Sequence, residues 1–391
     1  MTRVRTGLDR VADGESKAGR VLEGHQGGVL AHAASVEGEL RPCVGVVRAA
    51  GAHFAARFGP EHGYFGAAQD MVGVGSAAGT EIPVYSLYGD DASDLSPRPE
   101  WVRDLDAVVI DLQDVGSRYY TYVWTAALMM KVAASVGTEV IVLDRPNPLG
   151  GIRVEGAPQR DGYLSFVGLY PVSVRHGLTI AELLQWVLEH DGIDRDALRI
   201  VPMDGWKRAM TFPETELPWV MPSPNMPTFD TAVVYPGGCL IEGTLLSEGR
   251  GTTRPFELWG APGLDLEPLF ELDLHGVSLR PVEFQPTFQK YAGQSCRGVQ
   301  VHVTDAWVFR PYEAYLRMLG AALPTVDASE RWRTEEYEFV TDRPAIDLLT
   351  GGPEFREAVD AGATLESILA TEARGAAEFD SQRRTAWLYE K

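Results

Sequence analysis

Short unbroken apolar runs alternate with helix-period segments through the first half of the chain. LDAVVIDLQ (105–113) and TEVIVLD (138–144) have the continuous character of strands covered on both faces. HFAARF (53–58) and ALRIVPM (197–203) read as two more strands. Between them, YYTYVWTAALMMKVAASVG (119–137) predicts an apolar helix stopped by Gly137. LTIAELLQWVLEHDG (178–192) predicts an amphipathic helix, with Thr179 and Glu182 spaced as a capping box and Gly192 past its end. Strand, crossover helix and strand in succession imply an α/β fold with a doubly wound parallel sheet. In such a sheet the loops leaving the C-terminal strand ends line the ligand crevice. GPEHGYFG (59–66), QDVGSRYY (113–120) and DRPNPLGG (144–151) are therefore expected on one rim.

The texture changes after residue 206. FPETELPWVMPSPNMPTFD (212–230) is rich in proline and reads as a long connection. Beyond it, expected strands (TAVVYPG, 231–237; GVQVHVTD, 298–305) mix with expected helices (310–323, 354–362 and 365–379). This predicts a second, smaller α/β domain, with the division placed as 1–232 and 233–391.

Composition narrows the function. The 391 residues, 45% hydrophobic and 23% charged, are enough for two cores. A net charge of −20 argues against nucleic acid or an anionic membrane as partner, since both require a basic face. Cys43, Cys239 and Cys296 are far apart, which favours reduced, buried thiols over a disulfide framework. The N-terminal residues lack an apolar stretch of the signal-peptide kind, and no run of about 18 apolar residues occurs, so a cytoplasmic location is expected. GVGSAAG (73–79) has the wrong spacing for a dinucleotide loop, and GxxxxGK[ST], HExxH and GxSxG are absent. Neither a cofactor nor a metal is expected.

What remains is a surplus of carboxylates and guanidinium groups in turns. Glu61 stands beside His62 between Pro60 and Gly63, and Asp70, Asp114, Glu155, Glu242 and Glu248 also lie near turn formers. Arg118, Arg145, Arg250 and Arg254 accompany them, most densely in CLIEGTLLSEGRGTTRPFE (239–257). Such groups suit a carboxylate-bearing or polyhydroxylated ligand. Tyr64, Phe65, Tyr119, Tyr120, Tyr122, Trp219 and Trp259 offer faces for sugars. Each has a plainer alternative: Asp114 as cap of the next helix, Arg118 as its ion-pair partner, Arg250 and Arg254 as neutralisers of Glu248.

A larger pattern joins these pieces. FGPEHGYFG, IPVYSLYG, DLQDVGSRYYTY, VLDRPNPLGG, FVGLYPVSVRHGLT, LPWVMPSPNMPTFDTAVVYPGGCLIEGTLLSEGRGTTRPFELWGAP, TFQKYAG and GVQVHVTD, in register from residue 53 onward, resemble the NamZ-type exo-β-N-acetylmuramidases, glycoside hydrolase family 171. The resemblance implies a Rossmann-like catalytic domain whose cleft is closed by a C-terminal ancillary domain. It also implies release of terminal N-acetylmuramic acid from the non-reducing end of peptidoglycan fragments, with the family's catalytic glutamate falling on Glu61. Glu61 is then the expected general acid, enclosed by Tyr64, Phe65 and the second domain. Asp114 is first choice for the second carboxyl group, followed by Glu242 and Glu248, with His62 or Tyr119 assisting. The lactyl carboxylate of the sugar calls for a cation: Arg118, Arg250 or Arg254. Asp70, Asn147, Glu155, His176 and Asn225 complete the expected substrate contacts. Where the family usually has an Asn-Thr- or Gln-Thr-Gly-like loop after the first strand, this chain reads EGHQGGV (23–29). A sugar-binding protein without catalysis and a hydrolase of another amino sugar stay open; peptidoglycan saccharides are the expected partner, with oligomeric state undetermined.

Overall fold

The computed structural model describes residues 3–15, 23–24, 26–66, 68–69, 71–73 and 82–390. Among these residues, six parallel strands form one sheet: β1 (Gln26–Ala31), β2 (His53–Gly59), β3 (Val84–Ser86), β4 (Ala107–Asp111), β5 (Glu139–Leu143) and β6 (Leu198–Val201). Their order is β3-β2-β1-β4-β5-β6, all pairs parallel, so the winding reverses between β1 and β4. Alternate residues feed opposite layers, which is why the strands read as continuous apolar runs. Val108, Ile110, Val140 and Val142 face α3 (Tyr122–Val136) and α4 (Ile180–Asp191). Val29, Val109, Ile141 and Leu143 face α1 (Gly7–Ala12) and α2 (Cys43–Ala49). The expected stops hold: Gly137 and Gly192 are both left-handed, and Thr179 and Glu182 form the capping box of α4.

Two elements depart from the sequence pattern. Residues 26–31 are β1 itself, so EGHQGGV is not the loop that follows the first strand. That loop begins at His32. Gly27 and Gly28 hide the strand from a hydrophobic reading, but packing demands glycine there. A Cβ at Gly28 would sit 2.8 Å from the Phe58 ring and 2.9 Å from Leu105, beside the register shift between β1 and β2. The run TAVVYPG, expected as a strand, lies within helix α5 (Phe229–Gly238), whose N-terminus is capped by the Thr228 hydroxyl. Its β-branched residues are buried nearly all round, and tertiary packing outweighs their strand preference.

The second part carries an antiparallel sheet, β7 (Leu258–Ala261), β9 (Cys296–Val303) and β8 (Val277–Phe284) in that order, with helices Pro311–Ala322, Glu354–Asp360 and Glu366–Gln382 around it. One apolar core runs from the first sheet through α5 into β7 and β9. All three cysteines are buried, and none forms a disulfide among the described residues. No helix among the described residues is long and apolar enough to cross a membrane.

The C-terminal segment returns to the first sheet. The Tyr389 hydroxyl donates to Asp144 Oδ2 at 2.6 Å, and the Leu388 amide to Glu182 Oε1 at 2.8 Å. Burial pushes the Asp144 carboxyl up to about 7, against the pull of Tyr389 and Thr179. A carboxyl raised on folding binds its proton more tightly in the native state, so its contribution is full below about pH 4 and fades as pH rises through 7. Asp144→Asn is therefore expected to gain on wild type between pH 4 and pH 8, by roughly 4 kcal/mol. Urea unfolding at both pH values checks this; a constant difference between the two proteins would refute it.

Candidate active site

The turn after β2 is built to hold its side chains still. Gly59 ends the strand because the chain folds back over it: a Cβ there would lie 2.3 Å from the Tyr64 nitrogen. The Gly63 amide donates to the Pro60 carbonyl at 2.9 Å, closing the turn. His62 takes the position that requires a positive φ (+67°), a conformation that costs a non-glycine residue of order 1–3 kcal/mol and collects at functional sites. The His62 ring is fixed by Nδ1 against the Ala68 carbonyl at 2.9 Å.

Glu61, next to it, is buried. Its Oε2 accepts a 2.6 Å hydrogen bond from Thr121 Oγ1, at the end of the loop leaving β4. Its Oε1 is buried and has no partner among the described residues. Glu61 and His62 face a narrow recess of about 30 Å³. Tyr119, Tyr120, Thr121 and Tyr122 form one wall; Ser223, Asn225 and Met226 of the proline-rich connection form another. The second part closes it with Tyr235, Glu242, Arg250, Phe256, Tyr337 and Glu338. Burial pushes the phenols of Tyr119, Tyr120, Tyr122 and Tyr235 up, so they stay neutral donors across the working pH range.

A neutral histidine locks the walls together. His32, just past β1, is driven down to about 3 by burial. In the neutral ring Nδ1–H donates to the Pro222 carbonyl (3.2 Å), and Nε2 accepts from the Gln113 amide (3.0 Å). The Tyr122 hydroxyl also donates to Pro222, at 2.7 Å. The proline-rich connection is thus bound to the rim of the sheet at the point where strand order reverses.

Among the expected site residues, Glu61, His62, Tyr119, Asn225, Glu242 and Arg250 meet at this recess. Asn225 Nδ2 donates to Gln69 Oε1 at 2.9 Å, joining the connection to the loop that carries Glu61. Arg250 donates to Glu242 at 2.6 Å and lies 3.4 Å from Glu248; Tyr337 donates to the other oxygen of Glu242. Glu248 stands one step back. Burial alone would raise its carboxyl, but Lys290 and Arg250 hold it below the usual range.

The others have different work. Arg118 is fully buried and donates to the carbonyls of Ala157, Val172 and Leu349, so it clamps backbone and does not face the recess. Asp114 accepts from the Gly116 amide (2.7 Å) and faces His176 Nε2 at 3.5 Å; neither Asp114 nor His176 lines the recess. Asn147 binds the Leu178 carbonyl and the Leu149 amide. Glu155 pairs with Arg175 and accepts from the Tyr312 amide at the start of helix Pro311–Ala322. Arg254 is half-exposed beside Glu257. Asp70 lies outside the described residues. The enclosure expected from Tyr64 and Phe65 comes from elsewhere, since Phe65 is 68% exposed. Trp259 is core, and Trp219 packs on Phe212. Thr121, Ser223, Tyr235, Tyr337 and Glu338 carry no sequence signal strong enough to single them out.

Comparisons with known proteins agree on one family. The family model described as exo-beta-N-acetylmuramidase NamZ, N-terminal, matches residues 28–230, and its C-terminal counterpart matches 233–389. The chain is 39% identical over 394 positions to the peptidoglycan beta-N-acetylmuramidase NamZ of Bacillus subtilis (strain 168), covering 99% of this chain and 92% of that one. Two crystal structures of DUF1343 family proteins from Bacteroides fragilis NCTC 9343 align along the full length of both chains. The first has a TM-score of 0.87 at 30% identity; the second, with 0.76 at 24%, supports the fold alone.

Proposed function

The chain belongs to the NamZ family of exo-beta-N-acetylmuramidases, and we propose that its Glu61 recess releases terminal N-acetylmuramic acid from the non-reducing end of peptidoglycan fragments. The observation that carries this reading is a buried glutamate with one oxygen anchored and the other without a partner among the described residues, facing the recess. A carboxyl group so placed suits a general acid that protonates the leaving glycosidic oxygen. Glu242 and Glu338 line the same recess and are the candidates for the second carboxyl group, Glu242 held by Arg250 and Tyr337 and Glu338 by the Tyr88 hydroxyl. The neutral Tyr119 and Tyr120, which line the recess, offer hydroxyls and ring faces to the sugar. Residues 1–232 form the catalytic part and 233–391 the part that shuts the hollow and limits action to chain ends. Cytoplasmic recycling of wall fragments belongs to the same proposal; three buried cysteines without a disulfide suit a reducing compartment.

Arg250 is assigned to the lactyl carboxylate, because among Arg118, Arg250 and Arg254 it is the one that lines the recess. Chromogenic glycosides of N-acetylmuramic acid, N-acetylglucosamine and glucose test both substrate class and assignment. Wild type is expected to prefer the muramic acid glycoside. Arg250→Lys is expected to lose roughly 10- to 100-fold in kcat/KM on that substrate, the worth of a charge-assisted hydrogen bond, and little on the glucosamine one. Equal losses on both would remove Arg250 from lactyl recognition, and a preference for glucosamine or glucose would overturn the substrate class.

A further inference from the structure

Thr121 occupies the N-cap of α3, where a threonine hydroxyl ordinarily accepts a backbone amide of the first turn. It makes no such bond here. Its hydroxyl is turned away from the helix and donates to Glu61 Oε2 at 2.6 Å, between two buried side chains 60 positions apart. Glu61 Oε1 stays buried without a partner among the described residues.

From this geometry we infer that Thr121 is a positioning residue which reserves Oε2 as the anchored oxygen and leaves Oε1 to carry the transferable proton. The inference rests on the reading of Glu61 as general acid. In the step, the Oε1–H proton passes to the glycosidic oxygen while the C1–O bond breaks with its electron pair staying on that oxygen, and the oxocarbenium-like C1 is in the end bonded to a water oxygen, whose proton is released. Glu61 is left as a carboxylate, and the Thr121 hydroxyl stabilises it. A donor to a carboxylate favours the ionised form. Removing it favours the protonated acid, so an enzyme limited by an acid lost at high pH keeps its activity further into the alkaline range.

Other titratable groups share the hollow. His62 sits on the same turn, and Glu242, Arg250, Tyr337 and Glu338 face it from the second part. Tyr119, Tyr120 and Tyr122 beside Thr121, and Tyr235 on α5, are all held neutral by burial. None of these makes the 2.6 Å contact, so a shift confined to Thr121 variants reports on Glu61.

The test is the pH profile of kcat/KM for the chromogenic muramic acid glycoside, measured on Thr121→Val, Thr121→Ser and Glu61→Gln, each checked for a wild-type melting transition. Thr121→Val is expected to move the alkaline limb up by about one pH unit, and Thr121→Ser to restore it. An unchanged profile, or a shift in the acidic limb instead, would overturn the role of Thr121. Should Thr121→Val fail to fold, Thr121→Ser still decides, because its hydroxyl must keep the wild-type profile. Activity persisting in Glu61→Gln would sink the general-acid reading itself. An inactive Glu61→Gln with an unmoved Thr121→Val profile would sink only the positioning role.

Discussion

Glu61→Gln is expected to lower turnover of an N-acetylmuramic acid glycoside by about 10³-fold, with the melting temperature within a few degrees of wild type. The amide keeps the volume of the carboxyl and can still accept from Thr121 through its carbonyl oxygen, so folding has little to lose. It cannot deliver a proton to the leaving oxygen. A positioned acid is worth about 10²–10⁴ in rate, and the expected loss lies in the middle of that range. Steady-state kinetics beside a thermal melt separate the two effects. Wild-type turnover in a folded Glu61→Gln would exclude the residue from the chemistry. Loss of activity together with loss of the melting transition would mark Glu61 as structural.

Arg208→Ala is expected to have the largest effect on stability. Arg208 is fully buried, pairs with the equally buried Glu182, and donates to the carbonyls of Gly177 and Tyr389. Its guanidinium lies 4.1 Å from the centre of the Trp387 ring. Glu182 in turn caps α4 and accepts the Leu388 amide. Truncating Arg208 strands a carboxylate in the interior and releases the C-terminal segment, a loss of about 3–5 kcal/mol. Arg208→Lys should recover little, since one ammonium cannot reach partners arranged for a planar fork. Urea unfolding measures the cost, and faster trimming by carboxypeptidase reports the released segment. A loss under about 1 kcal/mol would show that the pair contributes little to the fold.

The parallel sheet was legible because strands covered on both faces cannot alternate: VVID and VIVL leave few readings other than buried strands. β1 was not legible, because the close approach of Phe58 and Leu105 requires glycines that look like a loop. α5 was misread for the opposite reason, as burial on every side lets a β-branched run stay helical. Glu61 stood out through its turn chemistry, its place after a strand and its family pattern. The roles of the arginines did not. Arg118 and Arg250 both flank glycines and acids in sequence, and only the fold separates a clamp on three carbonyls from a wall of the recess. Tyr337 and Glu338 reach the same hollow from some 280 positions beyond Glu61, a distance at which local pattern carries no information.

The most direct measurement is a crystal structure of Glu61→Gln soaked with a disaccharide bearing N-acetylmuramic acid at its non-reducing end. The terminal sugar should lie in the recess, with the side chain of residue 61 within about 3.2 Å of the glycosidic oxygen and the lactyl group toward Arg250. A disaccharide bound elsewhere, or seated with its glycosidic oxygen beyond reach of residue 61, would contradict the assignment.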